Sequence, residues 1–140
     1  MRVYRVLHIE DYEGCSWVLG EALKEKNISY QWLSDPKDIK LFLKKDTVPD
    51  FVVCDGNIPY WPDHIVDVLS IKPKTTPMVV WTADNDLDIY LKDGIDAVFS
   101  KDPEGMVGLV EYIEELAINF KRNGDDNNDQ NQQCSQKSNK

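Results

Sequence analysis

In the stretch Asp50-Phe51-Val52-Val53-Cys54-Asp55-Gly56-Asn57-Ile58-Pro59, an apolar run of strand length ends in an acid followed by turn-forming residues. Such a run reads as a strand buried on both faces, and Gly, Asn and Pro close it with a turn. Asp55 therefore stands at the carboxyl end of a buried strand, the edge outside which open α/β sheets form ligand crevices. Three other segments end in the same way: Val3 to Ile9 at Glu10-Asp11, Pro77 to Trp81 at Thr82-Ala83, and Ile95 to Phe99 at Ser100-Lys101. Gathered at one edge, Glu10, Asp11 and Asp55 form a negative pocket of hard oxygen donors. That donor set suits Mg²⁺ (or Mn²⁺), which takes one or two carboxylates plus a phosphate and keeps several waters. Crowded like charges repel, and a bound divalent cation relieves the repulsion. Lys101 adds a cation in reach of an anionic group, and Thr82 adds a hydroxyl donor. These are the parts needed to phosphorylate a carboxylate, with Asp55 as the nucleophile and an acyl phosphate as the product. Singly, each residue has an ordinary alternative. Asp55 could be a solvated loop acid, Glu10-Asp11 a helix-capping pair, Lys101 a solvated lysine, and Thr82 a strand-end residue bonded to its own backbone. Their joint occurrence at successive strand ends carries the reading.

The elements that must position these residues are legible as an alternation. Strands are expected over Val3–Ile9, Ile28–Leu33, Phe51–Cys54 with Asp55 at its end, Pro77–Trp81 and Ile95–Phe99. His8, within the first strand, reads as a packed, hydrogen-bonded histidine. Helices are expected over Glu13–Lys26, from Pro36 toward Lys45, over Asp63–Ile71, over Asp86–Lys92 with Gly94 as its cap, and from Pro103 to about Arg122. Asp35-Pro36 and Asp102-Pro103 are cap-plus-proline starts. Trp17, Leu19, Ala22 and Leu23 are the expected apolar stripe of the first helix. Five strands alternating with five helices predict a parallel sheet covered on both faces by right-handed crossovers, so that all five carboxyl ends point the same way. Residues 1–122 are expected to form one domain. From Asn123 to Lys140 apolar residues almost vanish, and this segment is expected to be a disordered polar tail.

Bulk properties narrow the partners. A formal charge of -9 with no basic, aromatic-interleaved patch argues against nucleic acid. No apolar run approaches the roughly 18 residues of a membrane span, and the amino terminus has no signal-peptide layout. The cysteines Cys15, Cys54 and Cys134 are odd in number and lack CxxC spacing. They suit a reducing, cytoplasmic compartment and provide no disulfide or zinc framework.

Over Arg2 to about Arg122 the sequence resembles the receiver domain of two-component response regulators, as in chemotaxis regulators. The acid pair after the first strand matches Glu10-Asp11, and the phosphoacceptor with its turn matches Asp55-Gly56-Asn57-Ile58-Pro59. Thr82-Ala83 and Lys101 match the residues after the fourth and fifth strands. The resemblance implies a flavodoxin-like (βα)5 three-layer sandwich, a doubly wound five-stranded parallel sheet. It implies Mg²⁺ held by Asp11, Asp55 and the Asn57 main-chain carbonyl, with Glu10 acting through water. A histidine kinase or phosphotransfer protein is the implied phosphodonor, and Thr82 the residue that turns toward the phosphoryl group. Asn57 and Asp84, two residues after the aspartate and the threonine, are the implied tuners of self-dephosphorylation, with an acyl-phosphate lifetime on the order of seconds to minutes. Two departures stand out. Val98 occupies the switch position where the family has an aromatic, and the pleat should send Phe99 to the opposite face. Asp102 stands directly after the lysine, where Pro is usual.

The leading expectation is a single-domain receiver, monomeric or dimerising on phosphorylation, that signals by protein contact and catalyses at most its own phosphorylation and dephosphorylation. The rival is a pseudo-receiver that binds partners without phosphorylation. An aspartyl phosphatase would place a second acid where Asn57 stands, and a flavodoxin-like cofactor binder would need a phosphate loop after the first strand.

Overall fold

The computed structural model describes residues 2–45 and 48–135, with side chains as far as residue 123. Five parallel strands, β1 (Arg5–Ile9), β2 (Ser29–Leu33), β3 (Phe51–Asp55), β4 (Met78–Thr82) and β5 (Ala97–Ser100), form one sheet in the order β2-β1-β3-β4-β5. This is the flavodoxin-like α/β arrangement, and the strand order reverses between β1 and β3, where a crevice is expected. β3 and β4 are buried at every position, as their unbroken apolar runs require.

Helices α1 (Glu13–Lys24) and α4 (Pro103–Ser135) cover one face, and α2 (Pro36–Lys44) and α3 (His64–Ile71) cover the other. The pleat divides the strand residues accordingly. Val6, Phe51, Val53, Val79 and Trp81 pack with Leu19, Leu23, Leu109 and Ile113, whereas Leu7, Ile9, Val52, Cys54, Met78 and Val80 pack with Ile39, Leu43, Ile65 and Val68. The start of α2 follows its local signal, since the Asp35 carboxylate accepts the Lys37 N–H at 2.9 Å ahead of Pro36.

Three expectations are corrected. Trp17 is two-thirds exposed, and the inward face of α1 is Ser16, Leu19, Gly20 and Leu23. That set has the i, i+3, i+4, i+7 spacing, and Trp17 falls outside it. Gly20 belongs to it because a Cβ there would lie 3.0 Å from the Tyr30 ring. Between β4 and β5 there is no α-helix over 86–92 but a single 3-10 turn, Asp88–Tyr90. Leu87, Ile89 and Leu91 alternate by two rather than at helical spacing, and the Asp86 carboxylate accepts the Asp88 N–H at 3.2 Å, satisfying a backbone donor locally. Finally, α4 continues to Ser135, past the expected end near Arg122. Helix propagation adds one hydrogen bond per residue once a nucleus exists, so the apolar stripe that starts a helix does not by itself set its end. Residues 136–140 of the expected tail lie outside the described residues. Among the described residues no helix is long and apolar enough to cross a membrane.

Candidate functional site at the carboxyl edge of the sheet

Strand register brings the chemistry-bearing residues together. Ile9 pairs with Cys54, so Glu10 and Asp55 follow side by side on neighbouring strands. Asp55 pairs with Trp81, and Thr82 with Ser100, which leaves Lys101 one residue beyond. Parity then assigns faces. Glu10, Asp55 and Lys101 continue the alternation of the face under α1 and α4, while Thr82 continues the face under α2 and α3.

Lys101 joins the two buried acids. Its Nζ lies 2.9 Å from Glu10 Oε1 and 3.2 Å from Asp55 Oδ1. It also lies 5.5 Å from the centroid of the Trp81 ring, within cation–π range. Glu10 is fully buried, and its second oxygen accepts the Tyr12 N–H at 3.3 Å. Asp55 is 5 % exposed; its Oδ1 accepts the Asn57 N–H at 3.2 Å, and its main-chain carbonyl lies 2.6 Å from His64 Nε2. Asp11 is exposed at the rim. One carboxylate oxygen from each of Glu10, Asp11 and Asp55 lies within 4.8 Å of the others.

The charges are unequally satisfied. Burial raises the proton affinity of Glu10, but the polar groups of His8, Asp55 and Lys101 around it outweigh this and hold its pKa below the ordinary value. Lys101 is raised despite its burial because Glu10 and Asp55 face it. Asp55 is raised by burial and then by the Glu10 carboxylate, and Asp11 by its partial burial and then by Asp55. Glu10 therefore absorbs most of the lysine's charge, and Asp11 and Asp55 carry the surplus negative charge. Clustered hard oxygens with surplus negative charge fit a divalent cation such as Mg²⁺, and Asp11 and Asp55 are the residues that would hold it.

Of the residues singled out in the sequence, the structure brings together Glu10, Asp11, Asp55 and Lys101. Thr82 lies on the opposite face of the sheet, pressed against Gly56, where a Cβ would fall 2.5 Å from Thr82 Oγ1. Asn57 and Asp84 flank the edge from the loops after β3 and β4 and are exposed. Val98 packs into the core under α2 and α3, and Phe99 points to the other face, its ring 5.6 Å from that of Tyr112.

Three contacts were not read from the sequence. His8 is wholly buried; its Nδ1 lies 2.6 Å from the Tyr30 hydroxyl and its Nε2 3.3 Å from Glu10 Oε1. Burial lowers its pKa even against the pull of Glu10, which favours the neutral ring; its Nε2 faces Glu10 Oε1 without a well-aligned hydrogen bond. Strand parity was the available signal, since residues 8 and 10 share a face. The second is the His64 contact to the Asp55 carbonyl, which no local pattern announces. The third is Tyr90, whose hydroxyl donates to Asp84 Oδ2.

No protein-family model matches the chain, and no curated protein matches it. Solved structures do. The signal receiver domain of a signal transduction histidine kinase from Syntrophus aciditrophicus superposes with a TM-score of 0.69 at 23% identity, covering 86% of this chain and 94% of that one. A response regulator receiver domain protein from Clostridium thermocellum gives 0.67 at 21% identity, covering 86% and 98%. A chemotaxis response regulator of Vibrio cholerae gives 0.64 at 16% identity, covering 80% and 99%. The chain thus has the fold of response regulator receiver domains.

Proposed function

We propose that this chain is a receiver that accepts a phosphoryl group on Asp55, in a Mg²⁺-dependent reaction, from a phosphohistidine of a histidine kinase or phosphotransfer protein. The observation that carries the reading is the buried Asp55 carboxylate, ion-paired to Lys101 and beside Asp11 at the open edge of a receiver fold. An Asp55 carboxylate oxygen attacks phosphorus, the P–N bond to the donor imidazole breaks, and its electron pair stays on the imidazole. The raised proton affinity of Asp55 makes it the more basic of the two buried acids and hence the better nucleophile. Lys101, shared with Glu10, stands ready to pair with a phosphoryl oxygen. Asp11 and Asp55 would hold a divalent cation, which would supply charge neutralisation on the transferring oxygens. Asn57 follows the acceptor, Thr82 presses on Gly56 and Asp84 bonds Thr82 from the loop after β4; amide, hydroxyl and carboxylate groups at this edge suit phosphoryl contact and water orientation. The signal then passes by protein–protein contact.

The test is labelling by a small acyl-phosphate donor with and without Mg²⁺. Wild type should be labelled only with the metal, and Asp55→Asn not at all; equal labelling of both proteins excludes the assignment. The second reading, a binding module without a phosphorylation switch, is favoured by one observation, the half-buried Val98 packed against the core where the family has an aromatic. Beryllofluoride with Mg²⁺ discriminates the two, because Trp81 reports on Lys101 from 5.5 Å. An unchanged tryptophan emission supports the binding module.

A further inference from the structure

The 3-10 turn that replaces a helix between β4 and β5 carries Tyr90 into the interior. Its side chain is buried in the core that also holds Ile58, Val80 and Ile95. The ring reaches the acceptor loop, for a Cβ on Gly56 would lie 2.8 Å from Tyr90 Cζ. At the far end of the ring the hydroxyl donates to Asp84 Oδ2. The Asp84 backbone N–H in turn donates to Thr82 Oγ1 at 3.2 Å. Burial and then the Asp84 carboxylate raise the phenol's pKa, so the hydroxyl stays a donor throughout the neutral range. Asp84 is otherwise an exposed loop acid free to point into water. The tether engages Oδ2 and leaves Oδ1 as the second acceptor, and Asp84 and Lys101 line a common cavity of about 400 Å³.

We infer that Tyr90 is a positioning residue that fixes Asp84 beside the acceptor and thereby sets how fast the acyl phosphate hydrolyses. The inference rests on the reading of Asp55 as phosphoacceptor. Water attacks phosphorus, the bond from phosphorus to the Asp55 oxygen breaks, and its electron pair returns to the Asp55 carboxylate. Both protons of the water leave on dihydrogen phosphate, so charge and atoms balance. Asp84 Oδ1 accepts a hydrogen bond from the attacking water and orients it. An untethered Asp84 spends less time in that pose, and orientation of a reactant is worth a large rate factor.

The experiment has two arms. In metal-free protein, the hydrogen-bonded phenol proton gives a downfield proton resonance, expected in wild type and absent from both Tyr90→Phe and Asp84→Ala. In protein labelled by a small acyl-phosphate donor, Tyr90→Phe should slow hydrolysis by about 3- to 10-fold without changing the labelling rate. Asp84→Ala should slow it at least as much, and the double variant should match Asp84→Ala alone, because the phenol acts only through the carboxylate. A wild-type lifetime in Tyr90→Phe overturns the inference, as does a Tyr90→Phe effect that persists undiminished in the Asp84→Ala background. Failure of wild type to label at all is a different result, visible before any variant is compared, and removes the acceptor reading together with this one.

Discussion

Asp55 combines a demand for charge with an environment that resists it. It is buried beside Glu10, and both effects raise its pKa above the value it has in the unfolded chain. A folded-state carboxylate with a raised pKa destabilises the fold once pH exceeds that pKa, and the cost disappears as pH falls through it. At neutral pH, removing the charge while keeping the shape should therefore help. Asp55→Asn retains an oxygen for the Asn57 N–H and leaves Lys101 paired with Glu10 at 2.9 Å. In metal-free buffer it should be stabilised by about 1 kcal/mol, the usual scale for relaxing a conflict at a functional site. Urea unfolding checks this: a lower midpoint for the variant would mean that Lys101 leans on Asp55 more than on Glu10. Glu10 itself is the opposite case, an acid whose pKa is held down by His8 beside it and by Lys101 at 2.9 Å.

At the scale of elements, the loop after β3 is clamped between two others. Thr82 from the end of β4 and Tyr90 from the 3-10 turn both press on Gly56, which carries no Cβ because none fits. Gly56→Ala should cost about 1–3 kcal/mol by overpacking and should depress labelling of Asp55 together with stability. Thermal melts and labelling rates on the same preparation check it; full stability would show that the clamp yields easily. The strands were legible because β3 and β4 are apolar at nearly every position and end in turn residues. Glu10, Asp11, Asp55 and Lys101 were legible because a parallel sheet sends every carboxyl end to one edge. Tyr90 was not. Its inward course depends on Asp86 satisfying a backbone donor and on Gly94 adopting a φ of 94°, choices that an apolar count over 86–92 does not register. Trp17 misled for a related reason: bulk suggested core, but the helical phase is set by Leu19 and Leu23.

For the whole molecule, the packing of α4 against the sheet ends with Phe120, whose ring lies 5.3 Å from that of Tyr4 and 4.9 Å from the Arg2 guanidinium. Beyond Asn123 the sequence offers almost nothing apolar. We propose 1–122 as the independently folding unit. A chain shortened after Asn123 should melt at the same temperature as the full chain and lose only far-ultraviolet helix signal; a drop of more than a few degrees would place part of the fold's stability in that segment.

β1 and β3 lie side by side at the centre of the sheet, each flanked by a neighbour on both sides. Their amide hydrogens should be released to solvent only when the whole sheet comes apart, whereas the turn at Asp88–Tyr90, with Ile89 exposed inside it and Leu91 exposed just after it, should open by local fluctuation. Deuterium should therefore enter the two ends of this pocket at very different tempos. The anchor of the acceptor should be the last part of the protein to breathe, and the backbone of the turn that carries Tyr90 among the first.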